Sequence, residues 1–178
     1  RVNLTTVDHG VLQDFSGGHV SDEDASLLIQ ALGRELGTNR IRFHHGVSYR
    51  NILILSDPGL SPRVKTEKPD DHQGDRIADF LPQALEPAAA ETASLLRRLI
   101  AEAPAILEKH PVNKRLASEG RPAVNGIWPC GGGKAGSIRT LKEKYRISGA
   151  VISAVDVIKG LGCCLGMDVI NVPGATGY

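Results

Sequence analysis

Aromatic side chains are scarce in this chain: one Trp, three Tyr and three Phe make up 4% of 178 residues. A surface built to stack nucleobases needs more of them. An excess of charge is lacking too, with 21 Lys and Arg against 20 Asp and Glu. A net charge of +1 gives no broad field to gather nucleic acid or an anionic membrane. No apolar run is long enough to cross a bilayer, and the first residues do not read as a secretory leader. Cysteine is limited to Cys130, Cys163 and Cys164. An odd number without regular spacing argues against a disulfide scaffold. The neighbouring pair cannot readily bridge within a helix, where adjacent side chains diverge. A reducing compartment, the cytoplasm, is the expectation.

Glycine (20) and proline (10) are plentiful and fall mostly between periodic segments, as loop punctuation does. Length allows one domain with a core plus an appendage. Val2 to Val7 reads as a strand, and Asp8 to Gly18 as a polar connector. Ser21 reads as a helix cap, with Asp22, Glu23 and Asp24 in the favourable first turn. Ala25, Leu28, Ile29, Leu32 and Leu36 follow at helical spacing. Arg40 to Phe43 and Arg50 to Leu55 are strand candidates joined by a short link. Asp57 to Pro87 is a long proline-rich excursion, of the kind that is often functional or mobile. Ala88 to Lys109 reads as a second helix, kinked or split at Pro104. Val124 to Trp128 is a short strand. The order β-α-β-β-α-β is the split arrangement of a ferredoxin-like plait, so the fold class expected is α+β. A C-terminal βαβ segment follows: strand Ala150 to Ile152, helix Val155 to Leu165, strand Val169 to Val172. Such a unit calls for a parallel pair. The chain lacks an initiator Met and stops on a glycine loop, so it reads as a piece of a longer protein.

Several motifs admit two readings. In GVSYR, Arg50 offers a planar fork suited to carboxylate or phosphate, or else is a solvated turn residue. In PDDHQG, His72 beside carboxylates suits a metal or acid–base work, though solvated loops have the same composition. In HPVNKR, the cations either serve the carbonyls of a helix end or grip an anion. GGGKAGS departs from a nucleotide-binding loop, because Lys134 is not followed by Ser or Thr. Ser153, Asp156 and Lys159 open the last helix, as a cap and a local ion pair or as an anion seat. No Gly-x-Ser-x-Gly elbow occurs.

Taken together, RVNLTTV, GVSYRNILIL, PDDHQG, HPVNKRLASEGRPAVNGIW and GAVISAVDVIKGLGCCLGMDVINVPGATGY resemble the archaeal-type, cofactor-independent phosphoglycerate mutases of the alkaline phosphatase superfamily. The likeness runs over nearly the whole chain. It implies an inserted cap domain over residues 1–148 and a βαβ segment over 149–178 leading back into a metal-binding core. It implies that the nucleophilic serine and two divalent ions (Mn, Mg or Zn) belong to that core, so neither a catalytic residue nor a metal ligand is expected here. The function implied is interconversion of 2- and 3-phosphoglycerate in glycolysis through a phosphoserine. By motif position, Arg50, Asn113, Arg115 and Lys159 become the expected contacts to substrate, with His72 and Asp156 as further candidates. The partners expected are the phosphorylated substrate, the remaining core and, through open strand edges, further copies of the chain. One stretch departs from the family: Pro129 to Lys134 stands where a Gly-Gln-Gly-Arg-like loop is common. That keeps open a related phosphotransferase acting on a homoserine-like substrate, and beside it a stand-alone small-molecule-binding module.

Overall fold

A computed structural model describes residues 1–134 and 136–174. The chain divides into two compact units, Arg1–Gly133 and Lys134–Tyr178.

The first unit is a mixed α/β structure on an antiparallel sheet. Strand β1 (Val2–Asp8) turns at His9 and Gly10, whose φ values are 48° and 77°. Two consecutive positive φ angles make a turn that matches strand twist, and the chain returns as β2 (Val11–Asp14). The sequence reading took this stretch for a connector; a His at the first turn position hides the hairpin. Helix α1 (Asp22–Glu35) begins where its cap predicts, with the Ser21 side chain accepting from the Asp24 N–H. It buries Ala25, Leu28, Ile29 and Leu32. Strands β3 (Ile41–Val47) and β4 (Arg50–Leu55) pair antiparallel. Helix α2 (Ala90–Leu107) runs through Pro104 and ends one turn later. Proline removes one backbone bond and leaves the rest of the helix intact. A further helix, α3 (Pro111–Ser118), lies in a stretch read as merely polar; His110 caps it and Pro111 opens it. Strand β7 (Gly126–Pro129) completes the sheet against β1, giving the order β3-β4-β1-β7 with β2 on the far end of β1.

Alternation along the strands sorts side chains to two faces. Val2, Leu4 and Ile127 join Leu28, Leu32 and Leu99 in the main core under the helices. Leu12, Trp128 and Cys130 form a smaller cluster with Phe15, Ile77 and Phe80. Residues 57–87 supply Ile77 and Phe80 to it as a strap. This strap has a two-residue ladder of its own, β5 (Val64–Lys65) with β6 (Gln83–Ala84). It is tied down by backbone: the Trp128 indole donates to Glu67 O at 2.9 Å, Leu12 N to Asp75 O at 2.9 Å and Ile77 N to Gly10 O at 3.0 Å.

Buried asparagine amides stitch the breaks in this sheet. Asn113 Nδ2 donates to Leu107 O at 2.7 Å and Val124 O at 2.8 Å, while its Oδ1 accepts from Val124 N at 2.8 Å. Asn125 exchanges two bonds with the backbone of Val7. Asn51 donates to Tyr49 O at 3.0 Å and accepts from Gly46 N at 3.2 Å.

In the second unit, α4 (Leu141–Tyr145) carries a full capping box between Thr140 and Glu143. Strand β8 (Ala150–Val151), helix α5 (Asp156–Cys164) and β9 (Asp168–Val169) follow in the expected order, with the strands parallel. The helix packs so closely on β8 that a Cβ at Gly162 would fall 2.4 Å from Val151 Cγ1. Ser153 does not cap it; its Oγ accepts from Val155 N at 3.0 Å in a turn just before the helix. No helix among the described residues is long and apolar enough to cross a membrane, and the three cysteines are free.

Two stability predictions follow from the α2–α3 junction. Asn113→Ala leaves the carbonyl and N–H of Val124 without partners in the interior and takes from Leu107 O one of its two donors, the other being His110 N, and should cost about 3 kcal/mol in urea unfolding. His110 accepts from Val112 N through Nδ1 at 3.3 Å. Burial, reinforced by the charge of Arg34 and opposed by Asp24, holds its imidazole below the ordinary value of 6.5. The unfolded chain therefore binds the proton more readily. This contribution is whole above the ordinary value and declines as pH falls through it towards the lower folded value. His110→Asn keeps a neutral cap, so its unfolding midpoint should lose that part of the pH dependence while wild type retains it.

Candidate functional site

The β3–β4 turn is held from several sides. Ser48, at φ 51°, donates from its backbone N–H to Asp22 Oδ1 at 2.5 Å and from its hydroxyl to Val20 O at 2.5 Å. Gly46 is required beneath it, since a Cβ there would meet the Arg50 carbonyl oxygen at 2.4 Å. Asn51 spends its amide N–H groups on Ser48 O and Tyr49 O, which leaves Oδ1 as the acceptor facing His45 Nδ1 at 2.9 Å. Nδ1 of His45 therefore carries the hydrogen, and Nε2 lies 3.7 Å from Asp22 Oδ1. Tyr49 is 6% exposed and packs edge-on against Phe15 and His19, at 5.8 and 6.2 Å between ring centres.

Arg50 emerges from this turn as the first, exposed residue of β4, its guanidinium carbon 4.3 Å from the centre of the Tyr49 ring. Among the described residues no carboxylate lies within ion-pair range of it. The Tyr49 ring is thus the base on which this cation rests.

The other expected contacts are differently placed. Both amide hydrogens of Asn113 are used by the fold, and the side chain is 4% exposed, so it has no donor left for a ligand. Arg115 is paired with Asp24 on α1 and with Glu119 at 3.0 Å. Its hydrogen bonds to Asp24 and then to Glu119 hold the guanidinium even further above its already high range. The structure thus joins Arg115 to the first turn of α1, the turn whose Asp22 holds Ser48, while Arg50 stays unpaired. His72 stacks on Phe80 at 3.7 Å, lies 6.2 Å from Trp128, and meets Asp75 through Nδ1 at 3.1 Å. Its neighbour Asp70 pairs with Arg1 at 3.7 Å. That ring closes the strap onto the sheet. In the second unit Asp156 is exposed and Lys159 half-buried on α5; no ion pair joins them. Lys134 is exposed, while the loop end Ala175 to Tyr178 lies outside the described residues. His45, Asp22 and Tyr49 were not singled out from the sequence. Their signal was the doubled His before a glycine, HHG, directly ahead of SYRN.

No group of three or more His, Cys, Asp or Glu among the described residues could hold a metal ion. The divalent ions implied by the family resemblance find no ligand set among the described residues.

Comparison with known proteins gives a consistent result. The family model described as 2,3-bisphosphoglycerate-independent phosphoglycerate mutase matches residues 1–113. A protein of that name from Methanosarcina barkeri is 43% identical over 178 residues, covering 100% of this chain and 43% of the relative. A probable enzyme of the same name from Geobacter sulfurreducens is 38% identical over 168 residues, covering 94% of this chain and 40% of its own. Among solved structures, a cofactor-independent phosphoglycerate mutase from Thermoplasma acidophilum superposes with a TM-score of 0.66 at 29% identity, over 98% of this chain and 47% of that one. A Pyrococcus horikoshii protein shares the fold alone, with a TM-score of 0.65 at 22% identity over 99% of this chain and 38% of that one. The chain spans about two fifths of the length of these curated relatives. By this match and by the unbroken order of its motifs, the chain belongs to the 2,3-bisphosphoglycerate-independent phosphoglycerate mutase family.

Proposed function

We propose that this chain is the substrate-gripping part of a cytoplasmic, cofactor-independent phosphoglycerate mutase. The whole protein would interconvert 2- and 3-phosphoglycerate in glycolysis through a phosphoserine formed on another part of the same polypeptide. The first unit acts as the inserted cap. Its strand order, β3-β4-β1-β7 with neighbours antiparallel and helices α1 and α2 as crossovers, supports reading it as a ferredoxin-like plait. The second unit leads back into the metal-binding core. Its parallel pair of two-residue strands is too small to stand alone, and Ile152, Val157 and Ile170 are exposed beside it. Such open strands also give self-association a route.

The observation that carries this reading is Arg50, an exposed guanidinium without a carboxylate partner, held on an aromatic base. A phosphoglycerate has two anionic groups, and phosphoryl transfer is governed by positioning and charge stabilisation. Arg50 would take one anionic group through paired N–H bonds. Lys159 and Asp156, at the start of α5, are offered as substrate contacts on their motif alone. Arg115 and Asn113 would contribute by fixing α3 rather than by touching substrate, and His72 by seating the strap. Divalent ions of the core, when bound, would activate the serine and neutralise phosphate charge.

The stretch Pro129 to Lys134 favours a second reading. A Lys in place of the family's Arg loses bidentate phosphate geometry, which suits a related phosphotransferase acting on another hydroxylated small molecule.

The test uses the full-length protein. It should convert 3-phosphoglycerate to 2-phosphoglycerate, and Arg50→Ala should raise KM by about ten- to a hundredfold, the worth of a hydrogen bond to a charged group. The isolated chain should show no turnover. Phosphorylation of homoserine without mutase activity would select the second reading; turnover by the isolated chain would defeat both.

A further inference from the structure

Arg50 differs from the carboxylate-paired arginines of the first unit in what fixes it. Arg40, Arg98 and Arg115 are each held by a carboxylate, at 2.6 Å from Asp57 for Arg40 and 3.4 Å from Glu102 for Arg98. Arg50 is held by a ring. The distinction has a chemical consequence. A carboxylate consumes N–H donors and cancels charge, whereas a guanidinium lying on an aromatic face keeps its N–H groups at the rim and its charge intact.

The ring itself has little freedom. Tyr49 is 6% exposed and braced by Phe15 and His19. Its carbonyl accepts from Leu4 N at 2.9 Å and from Asn51 Nδ2 at 3.0 Å. Both the backbone and the ring of this residue are therefore anchored to β1 and to the loop that precedes α1. A free Arg side chain surrenders rotamer entropy when a ligand fixes it. A platform set in advance lowers that loss at the moment of binding.

We propose that Tyr49 is a positioning residue for the substrate anion, acting through Arg50: its ring holds the guanidinium flat and charged, so that an oxyanion is met by a pre-aimed fork. This rests on the reading of Arg50 as a substrate contact. Tyr49 does not touch the substrate. It makes the position selective for Arg, because an ammonium neither stacks nor offers a planar pair of donors.

A double-mutant cycle in the full-length enzyme tests this, with KM and kcat measured for 3-phosphoglycerate. Tyr49→Leu should raise KM on the order of tenfold with kcat nearly unchanged, as expected when a cation–π contact that aids binding is lost. Tyr49→Phe keeps the ring and should stay within about twofold of wild type. Arg50→Lys should resemble Tyr49→Leu. In an Arg50→Ala background, Tyr49→Leu should add nothing further. Equal losses in the Phe and Leu variants, or a full further loss in the Arg50→Ala background, overturn the proposal while leaving Arg50 as a contact. Should Arg50→Ala leave KM unmoved, the contact and its positioning residue fall together. If Tyr49→Leu does not fold, the native enzyme gives the answer: the Arg50 δ-proton resonances should be shifted upfield by the ring, and random-coil values overturn the proposal.

Discussion

The amide of Asn51 is the constraint on which the first unit's working end depends. Its two hydrogens go to the carbonyls of Ser48 and Tyr49, and its oxygen receives Gly46 N and His45 Nδ1. One buried side chain thereby sets the bulge between β3 and β4, the path of the turn and the tautomer of a histidine. Strands this short offer few ladder bonds where they break register, and each orphaned backbone group inside would cost roughly 1–3 kcal/mol. Asn113 and Asn125 solve the same problem at the α2–α3 junction and beside β1. An amide can replace a missing neighbour because it gives and receives in one plane, as a peptide group does.

Charge is distributed by the same economy. The first turn of α1 gathers Asp22, Glu23 and Asp24, which favour the helix start. Two of them also serve as anchors, Asp22 for the turn at Ser48 and Asp24 for Arg115. Asp22 and Asp24 are thus occupied, and among the described residues no carboxylate pairs with Arg50. Its full charge is a product of where the neighbouring carboxylates are spent. Gly46 permits the close approach of β3 to β4 in that arrangement, since a Cβ there would fall 2.4 Å from the Arg50 carbonyl oxygen.

Much of this scaffold was legible in the sequence because it rests on side-chain periodicity and caps. Ser21 followed by three acids announced α1, and the apolar spacing in α2 survived Pro104. The parallel pair β8–β9 followed from a strand–helix–strand pattern. The hairpin to β2 was hidden because His9, not Asn, adopts the first positive φ. Helix α3 was hidden because its buried set is only Val112, Asn113 and Leu116, too few to show a period. The strap's ties were unreadable in principle, since they run through backbone groups that every residue carries. Arg50 was a candidate from its motif, whereas its lack of a carboxylate partner among the described residues could not be read there. Asn113 illustrates the reverse: its motif offers it as a ligand contact until its three bonds to backbone are seen.

The strap closes over Trp128, and Trp128 is the chain's only tryptophan. Its indole is 5% exposed, donates to Glu67 O and lies parallel to His72. The chain therefore places its single tryptophan at the seam between strap and sheet, and excitation that spares its three tyrosines isolates that one indole. Emission wavelength and quenching report the seating of that seam alone, so its opening can be followed in solution without attaching a dye, separately from the melting of the helices.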